Sequence, residues 1–289
     1  MAKSARVDNT RLKELEAAQA AAERKRRLAI AGSATAVVVV VIAVVIFAAL
    51  RAPKESQTSA KTSGTVSDVL AKDLASVPAS AYDVVGVGTA QGNIIKAKTG
   101  DVALKNGKPR IVYVGAEFCP FCASERWALV TALSRFGTLT GLDYALSSAS
   151  DNPASVPTVS FKDAKYTSDY LSFEAYEVSD RDQKPLQTLP DDVAALQKAD
   201  DPQGSIPYIF FAGKAFQSGS IYDGSVLGSK PQDTIAAQVT DPTTAIAKGV
   251  LGGANLTTAR LCTLTDNKPT DVCTSAGVKA AAVAAGTGQ

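Results

Sequence analysis

The sequence predicts an α/β domain carried on one transmembrane helix. Three observations lead there: a charge-free apolar run near the N-terminus, alternating β-rich and helical segments after it, and a C-x-x-C motif where strand gives way to helix. At 289 residues the chain holds one substantial domain plus appendages. A net charge of +2 argues against a nucleic-acid binder.

The apolar run is LAIAGSATAVVVVVIAVVIFAAL, Leu28 to Leu50. As a helix it would extend roughly 34 Å at about 1.5 Å per residue, enough to cross a hydrocarbon core of about 30 Å. RKRR (Arg24 to Arg27) precedes it, and only Arg51, Lys54 and Glu55 follow closely. The positive-inside rule therefore expects residues 1–27 in the cytoplasm, a bilayer anchor at 28–50 and everything later outside. Both the run and its polar leader are long for a cleaved signal peptide. APKESQTSAKTSGTV, polar and rich in Ser, Thr and Lys, reads as a flexible tether over 51–66, so the extracytoplasmic domain is expected over 67–289.

In that domain, SDVLAKDLASV spaces Val69, Leu70, Leu74 and Val77 as a helix with Ser67 as N-cap. AYDVVGVG reads as a strand. KPRIVYVGAEF is nearly continuous in β-branched and aromatic residues, a buried central strand. ASERWALVTALSRFGTL follows as a helix, with Trp127, Leu129, Val130, Leu133 and Phe136 inward and Gly137 as its stop. LDYALSSAS reads as the next strand, parallel to the first through a right-handed crossover. TVSF and YLSFEAYEV are further strands, and LPDDVAALQKA is a short helix. SIPYIFFAGKAFQSGSIY is a hairpin turning at Ala212-Gly213-Lys214. Gln232 to about Gly286 is mainly helical. Gly86, Gly88 and Gly92 do not make G-x-G-x-x-G and mark a tight loop.

The chemistry concentrates in CPFC, Cys119 to Cys122, which a priori is a zinc clip, a staple, a haem tether or a redox pair. The chain has no histidine, which removes Cys-His catalysis and His-ligated metal or haem. Ala123 after the motif excludes C-x-x-C-H haem attachment. Zinc would need Cys262 and Cys273, whose spacing is not that of a zinc ribbon. At the start of a helix, with Pro120 in the first helical position, Cys119 would face unpaired backbone N–H groups and the positive dipole end, both favouring thiolate. Cys119 then attacks and Cys122, one turn on, resolves. That redox chemistry needs neither cofactor nor metal. A retired, purely structural pair stays open. In CTLTDNKPTDVC, Cys262 and Cys273 read as a structural disulfide closing a loop, which contributes roughly 3 kcal/mol in the chain-entropy model. Phe161, Tyr166, Tyr170, Phe173 and Tyr176 either line a groove or pack the strands that carry them.

IVYVGAEFCPFCASERWALVTAL resembles the active-site strand, C-x-x-C and first long helix of the thioredoxin-like superfamily, and GSIPYIFF resembles its second signature. The resemblance covers roughly Asp101 to Tyr222. It implies a thioredoxin-like fold, a central mixed sheet flanked by helices, here with strands and a helix inserted around 155–200 and a helical C-terminal extension. It also implies a cis-proline at Pro207 beside the motif, and a peptide site where Ile206, Pro120 and Phe121 meet the substrate. Thioredoxins proper have Trp where this chain has Phe118, and strong periplasmic oxidants have His where it has Phe121. Phe121 cannot donate a hydrogen bond to a thiolate, which implies a milder lowering of the Cys119 pKa. Glu117 is a candidate proton acceptor for Cys122. The chain as a whole is similar to an uncharacterised branch of membrane-anchored bacterial envelope proteins. The implied activity is thiol–disulfide exchange on exported protein thiols or disulfides, with an integral membrane redox partner. The implied alternative is a redox-inactive accessory subunit of a membrane complex.

Overall fold

The computed structural model describes residues 68–287. The expected leader, membrane anchor and tether, and the Ser67 cap, lie outside these residues. Among the described residues no helix is long and apolar enough to cross a membrane. Helices α1 (Asp68–Ala75) and α2 (Ala79–Val85) come first, then strands β1 (Ile95–Ala97), β2 (Leu104–Lys105) and β3 (Lys108–Gly115). Helix α3 (Pro120–Leu133) follows, then β4 (Gly137–Thr140), β5 (Asp143–Leu146), β6 (Pro157–Ser160), β7 (Lys165–Ser168) and β8 (Ser172–Glu177). The rest is α4 (Asp191–Asp200), β9 (Tyr208–Phe211), β10 (Ala215–Ser218), α5 (Gln232–Val239), α6 (Ala245–Leu264), α7 (Thr270–Cys273) and α8 (Ala276–Ala284).

The protein is a mixed α/β structure with a central mixed sheet flanked by helices, an arrangement compatible with the thioredoxin-like expectation. β3 lies in its middle, parallel to β8 and antiparallel to β9. β9 continues through β10 to β1, and β2 makes a short hairpin with the start of β3. Side-chain alternation divides the core. Ile111, Tyr113, Ile209 and Phe211 face one cluster with α3 and α6, whereas Val112, Val114, Tyr208 and Phe210 face another with Val193 and Leu196 of α4. Both faces are therefore buried, which is why KPRIVYVG and YIFF have no polar alternation.

Three sequence expectations are corrected. AYDVVGVG forms α2 and not a strand: Ala81 and Tyr82 turn inward against the C-terminal helices, and Gly86, at φ 56°, ends the helix. Packing here overrides the β-propensity of Val84 and Val85. LDYALSSAS supplies β5, which pairs antiparallel with β6 in a separate two-stranded sheet. β6 is fastened to α3, where Thr158 Oγ1 donates to the Ala123 carbonyl (2.8 Å) and Trp127 Nε1 to that of Pro157 (2.9 Å). The parallel partner of β3 is thus β8, reached through a longer crossover that includes β4 to β7. Finally, α3 stops at Leu133, and Gly137 opens β4, where a Cβ would lie 2.3 Å from the Thr167 carbonyl.

The five candidate groove aromatics are divided by their contacts, Phe161 being buried and the other four half-buried. Edge-on stacking joins Tyr113, Phe161, Phe173 and Tyr166, with Tyr170 against Phe136, so these rings pack the inserted strands. Tyr176 instead donates to Glu174. Helix α6 is the second pillar. It approaches α3 and the 221–222 loop closely at Gly253, where a Cβ would lie 2.4 Å from Ile221 and 3.1 Å from Ala128. Asn255 of the N-L-T triplet is fully buried, its amide donating to the Tyr82 and Gly86 carbonyls and accepting from Arg135.

Candidate functional site

Cys119 is the N-cap of α3, extended at φ −74°, ψ 121°, with Pro120 as the first helical residue. Its Sγ accepts a hydrogen bond from the Cys122 backbone N–H at 3.2 Å, the bond a capping Ser or Asp would accept. The sulfur occupies the positive end of a 14-residue helix. Across from it, the Ile206 carbonyl stands 3.9 Å from Sγ, and the Ile206–Pro207 bond is cis. Cys119 is 5% exposed and Cys122 is fully buried, while Phe121 between them is 56% exposed. Both thiols are free. The structure thus brings Cys119, Pro120, Cys122, Ile206 and Pro207 together, with Phe121 on the surface beside them.

Two thiols one turn apart are made unequal by their surroundings. The Cys122 thiol, hydrogen-bonded to the Cys119 sulfur, lowers the Cys119 pKa. Burial opposes this, and backbone N–H groups and the Arg126 guanidinium reinforce it. Burial drives Cys122 well above the ordinary thiol range, and its bond to Cys119 adds to the rise. The near-surface sulfur is the ionisable one, and the deep sulfur holds its proton.

Beneath the pair lies an ion pair. Arg126, four residues after Cys122 and so on the same side of α3, donates through Nε and Nη2 to Glu177 at the end of β8 (2.8 and 2.7 Å). Its Nη2 also reaches the Ala116 carbonyl at 2.7 Å, and both partners are fully buried. Burial works to lower the Arg126 pKa, but Glu177 more than compensates and holds it well above the ordinary value. Among the described residues Arg126 Nη1 and the Tyr113 hydroxyl find no hydrogen-bond partner, and the guanidinium stands 6.0 Å from the Tyr113 ring. Gly115 makes room for that hydroxyl: a Cβ there would lie 2.2 Å from it.

The approach to the motif is braced on both sides. The Phe118 carbonyl accepts from Ser148 N–H (2.8 Å), and Glu117 N–H donates to the Ser179 carbonyl (2.9 Å). Glu117 turns its carboxylate to the Ser160 hydroxyl, which donates to it at 2.6 Å, and the carboxylate charge felt at Cys122 is that of Glu177, which adds to the rise of its pKa. Sequence reasoning passed over Arg126 and Glu177. A signal was present in α3 itself, where SER interrupts a helix with no polar face, and every residue from Cys122 to Leu133 is buried. Cys262 and Cys273 form a disulfide with Cα atoms 5.7 Å apart, which takes up the two thiolates a four-ligand zinc site would have required.

Residues 93–199, which include CPFC, Arg126 and Glu177 but stop short of Pro207, match a family described as a domain of unknown function (DUF929). Neither a curated protein nor a solved structure matches the chain.

Proposed function

We propose that the protein is a thioredoxin-like thiol–disulfide oxidoreductase, tethered to the membrane by residues 28–50 and acting outside the cytoplasm on exported proteins. The observation that carries this reading is the asymmetry of the pair. Cys119 caps α3 with its sulfur bonded to the Cys122 N–H and its pKa lowered, while Cys122 is buried and held protonated. A purely structural pair has no need of that difference.

In the reducing direction, the Cys119 thiolate attacks one sulfur of a substrate disulfide. A Cys119–substrate bond forms, the substrate S–S bond breaks, and the leaving thiolate takes up a proton. Cys122 then gives up its proton, and its thiolate attacks Cys119 Sγ. The Cys119–Cys122 disulfide forms and the second substrate thiolate departs, so two electrons have passed to the substrate. The oxidising direction is the reverse. Arg126, buried beside both sulfurs, stabilises each thiolate as it appears. Turnover requires a dithiol or disulfide partner of the opposite redox state, supplied by an integral membrane protein.

The test is trapping. Cys122→Ala in the membrane-bound chain accumulates mixed disulfides on Cys119 that dithiothreitol releases, and Cys119→Ser abolishes them. A Cys119–Cys122 bond that resists reduction in the folded protein, with stable co-purification of a membrane complex, would instead favour the redox-inactive accessory subunit.

A further inference from the structure

The redox chemistry leaves one buried acid without a role. Glu125 of α3, three residues after Cys122, is fully buried, and no ion pair to it occurs among the described residues. The groups around it are uncharged. Ile221 N–H donates to Oε2 at 2.8 Å, and the Gln217 side-chain amide lies beside the carboxyl. The Tyr222 hydroxyl is committed to the Ser124 carbonyl at 2.9 Å. Helix α6 presents Gly253 to this loop, and Arg126, the next residue of α3, is held by Glu177. Among the described residues Glu125 Oε1 has no donor, and neither has Gln217 Oε1. The orientation of Gln217 follows from its Nε2, which donates to the Gly219 carbonyl at 3.0 Å. Two buried acceptors without a hydrogen between them are costly, and a single proton satisfies both. Burial also pushes the Glu125 pKa up to about 8, so the proton is in place at neutral pH.

The connections continue toward the cysteines. Gly219, whose carbonyl receives Gln217, donates its own N–H to the Pro207 carbonyl at 2.8 Å, and the Ile206 carbonyl faces Cys119 Sγ. We propose that Glu125 is carried as a neutral carboxylic acid and acts as a positioning residue, its Oε1–H donating to Gln217 Oε1 so that α3 and the Ile206–Pro207 segment keep their spacing across Cys119. Ionisation replaces that donor by a second acceptor and loosens the segment that receives substrate. The last step rests on the redox reading of CPFC, while the proton on Glu125 does not.

Glu125→Gln is the diagnostic variant, because its amide keeps a donor toward Gln217 and an acceptor for Ile221 N–H at every pH. Three measurements on reduced protein need no thiol chemistry. An infrared difference spectrum at about pH 7 shows a protonated-carboxyl C=O band that Glu125→Gln removes. Amide hydrogen exchange at Gly219 and Ile221 matches between the two proteins near pH 6. Near pH 9 it is up to about tenfold faster in the wild type, with β3 amides as control. The folding equilibrium also shifts. The folded pKa is raised above the unfolded value of about 4.3, so this contribution is complete below that value and is lost as pH rises through about 8. Relative to Glu125→Gln, the wild-type folding constant therefore falls roughly tenfold per pH unit across that window and levels above it. If Glu125→Gln does not fold, the band and the Gly219 exchange of the wild type, each with a midpoint near 8, carry the test. A missing band, or exchange that is the same near pH 9, overturns the proposal even if CPFC is active. Absence of disulfide exchange with the band present overturns the redox reading alone.

Discussion

Two cysteine pairs on this chain sit at opposite ends of helices. Cys119 caps the N-terminus of α3, where N–H groups point at its sulfur. Cys262 lies in the last turn of α6 and Cys273 is the final residue of α7, both at the carbonyl ends. A thiolate is favoured at the first position and disfavoured at the second two, so under the proposed redox reading the same element serves for exchange in one place and for cross-linking in the other. Position along a helix, more than spacing between cysteines, separates the roles.

The largest expected effects test this division directly. Cys119→Ser removes all disulfide exchange on a model protein disulfide and leaves the denaturation midpoint nearly unchanged. The double variant Cys262→Ser/Cys273→Ser does the opposite: exchange continues, and urea unfolding shows a loss of roughly 3 kcal/mol. Exchange lost in the double variant with stability intact would erase the distinction. Next in size is Arg126→Met, which leaves Glu177 buried without its cation and costs about 3–5 kcal/mol. In the fraction that folds, Cys119 loses one of the groups that lower its pKa, so its alkylation moves to higher pH. An unmoved alkylation profile would confine Arg126 to stability.

The pH dependence sharpens the contrast inside the first pair. Alkylation follows the thiolate, so in reduced wild type the rate at Cys119 rises with pH and reaches half its maximum below the value of an ordinary thiol. In Cys119→Ser the remaining Cys122 reacts only above that value, since burial is the main cause of its shift. Coincident profiles would mean that the two sulfurs are equivalent, which the attack-and-resolve order does not allow.

How much of this was legible in the sequence follows from distance along the chain. Strand, Cys-Pro and helix are consecutive, so the cap position of Cys119 could be read from VGAEFCPFC. The β9–β10 hairpin, with its Ala212-Gly213-Lys214 turn, was equally local. Arg126 and Glu177 are 51 residues apart and meet only because β8 pairs with β3 in the register that sets Glu177 opposite Gly115. That register was hidden, because LDYAL has the same apolar character as YLSFEAYEV and comes first. What sends β5 elsewhere is the fastening of β6 to α3 by Thr158 and Trp127, and no periodicity encodes it. Glu125 was invisible for a related reason, since its partners, Gln217 and Ile221, are set by β10 and by the return of the chain after it.

The smallest effect concerns the residue between the cysteines. Phe121 is 56% exposed on the second helical position, so Phe121→His changes stability by no more than about 0.5 kcal/mol. A protonated imidazole there would stand at the helix N-terminus beside Cys119 and add a positive charge to groups that already lower its pKa. Alkylation of Cys119 should shift to lower pH. The Cys119–Cys122 disulfide should also become more oxidising against glutathione, because a better-stabilised thiolate is a better leaving group. If neither moves, the reactivity of Cys119 is governed from within, by the Cys122 donor and the buried Arg126. The exposed position would then matter for the substrate it touches and not for the potential of the pair.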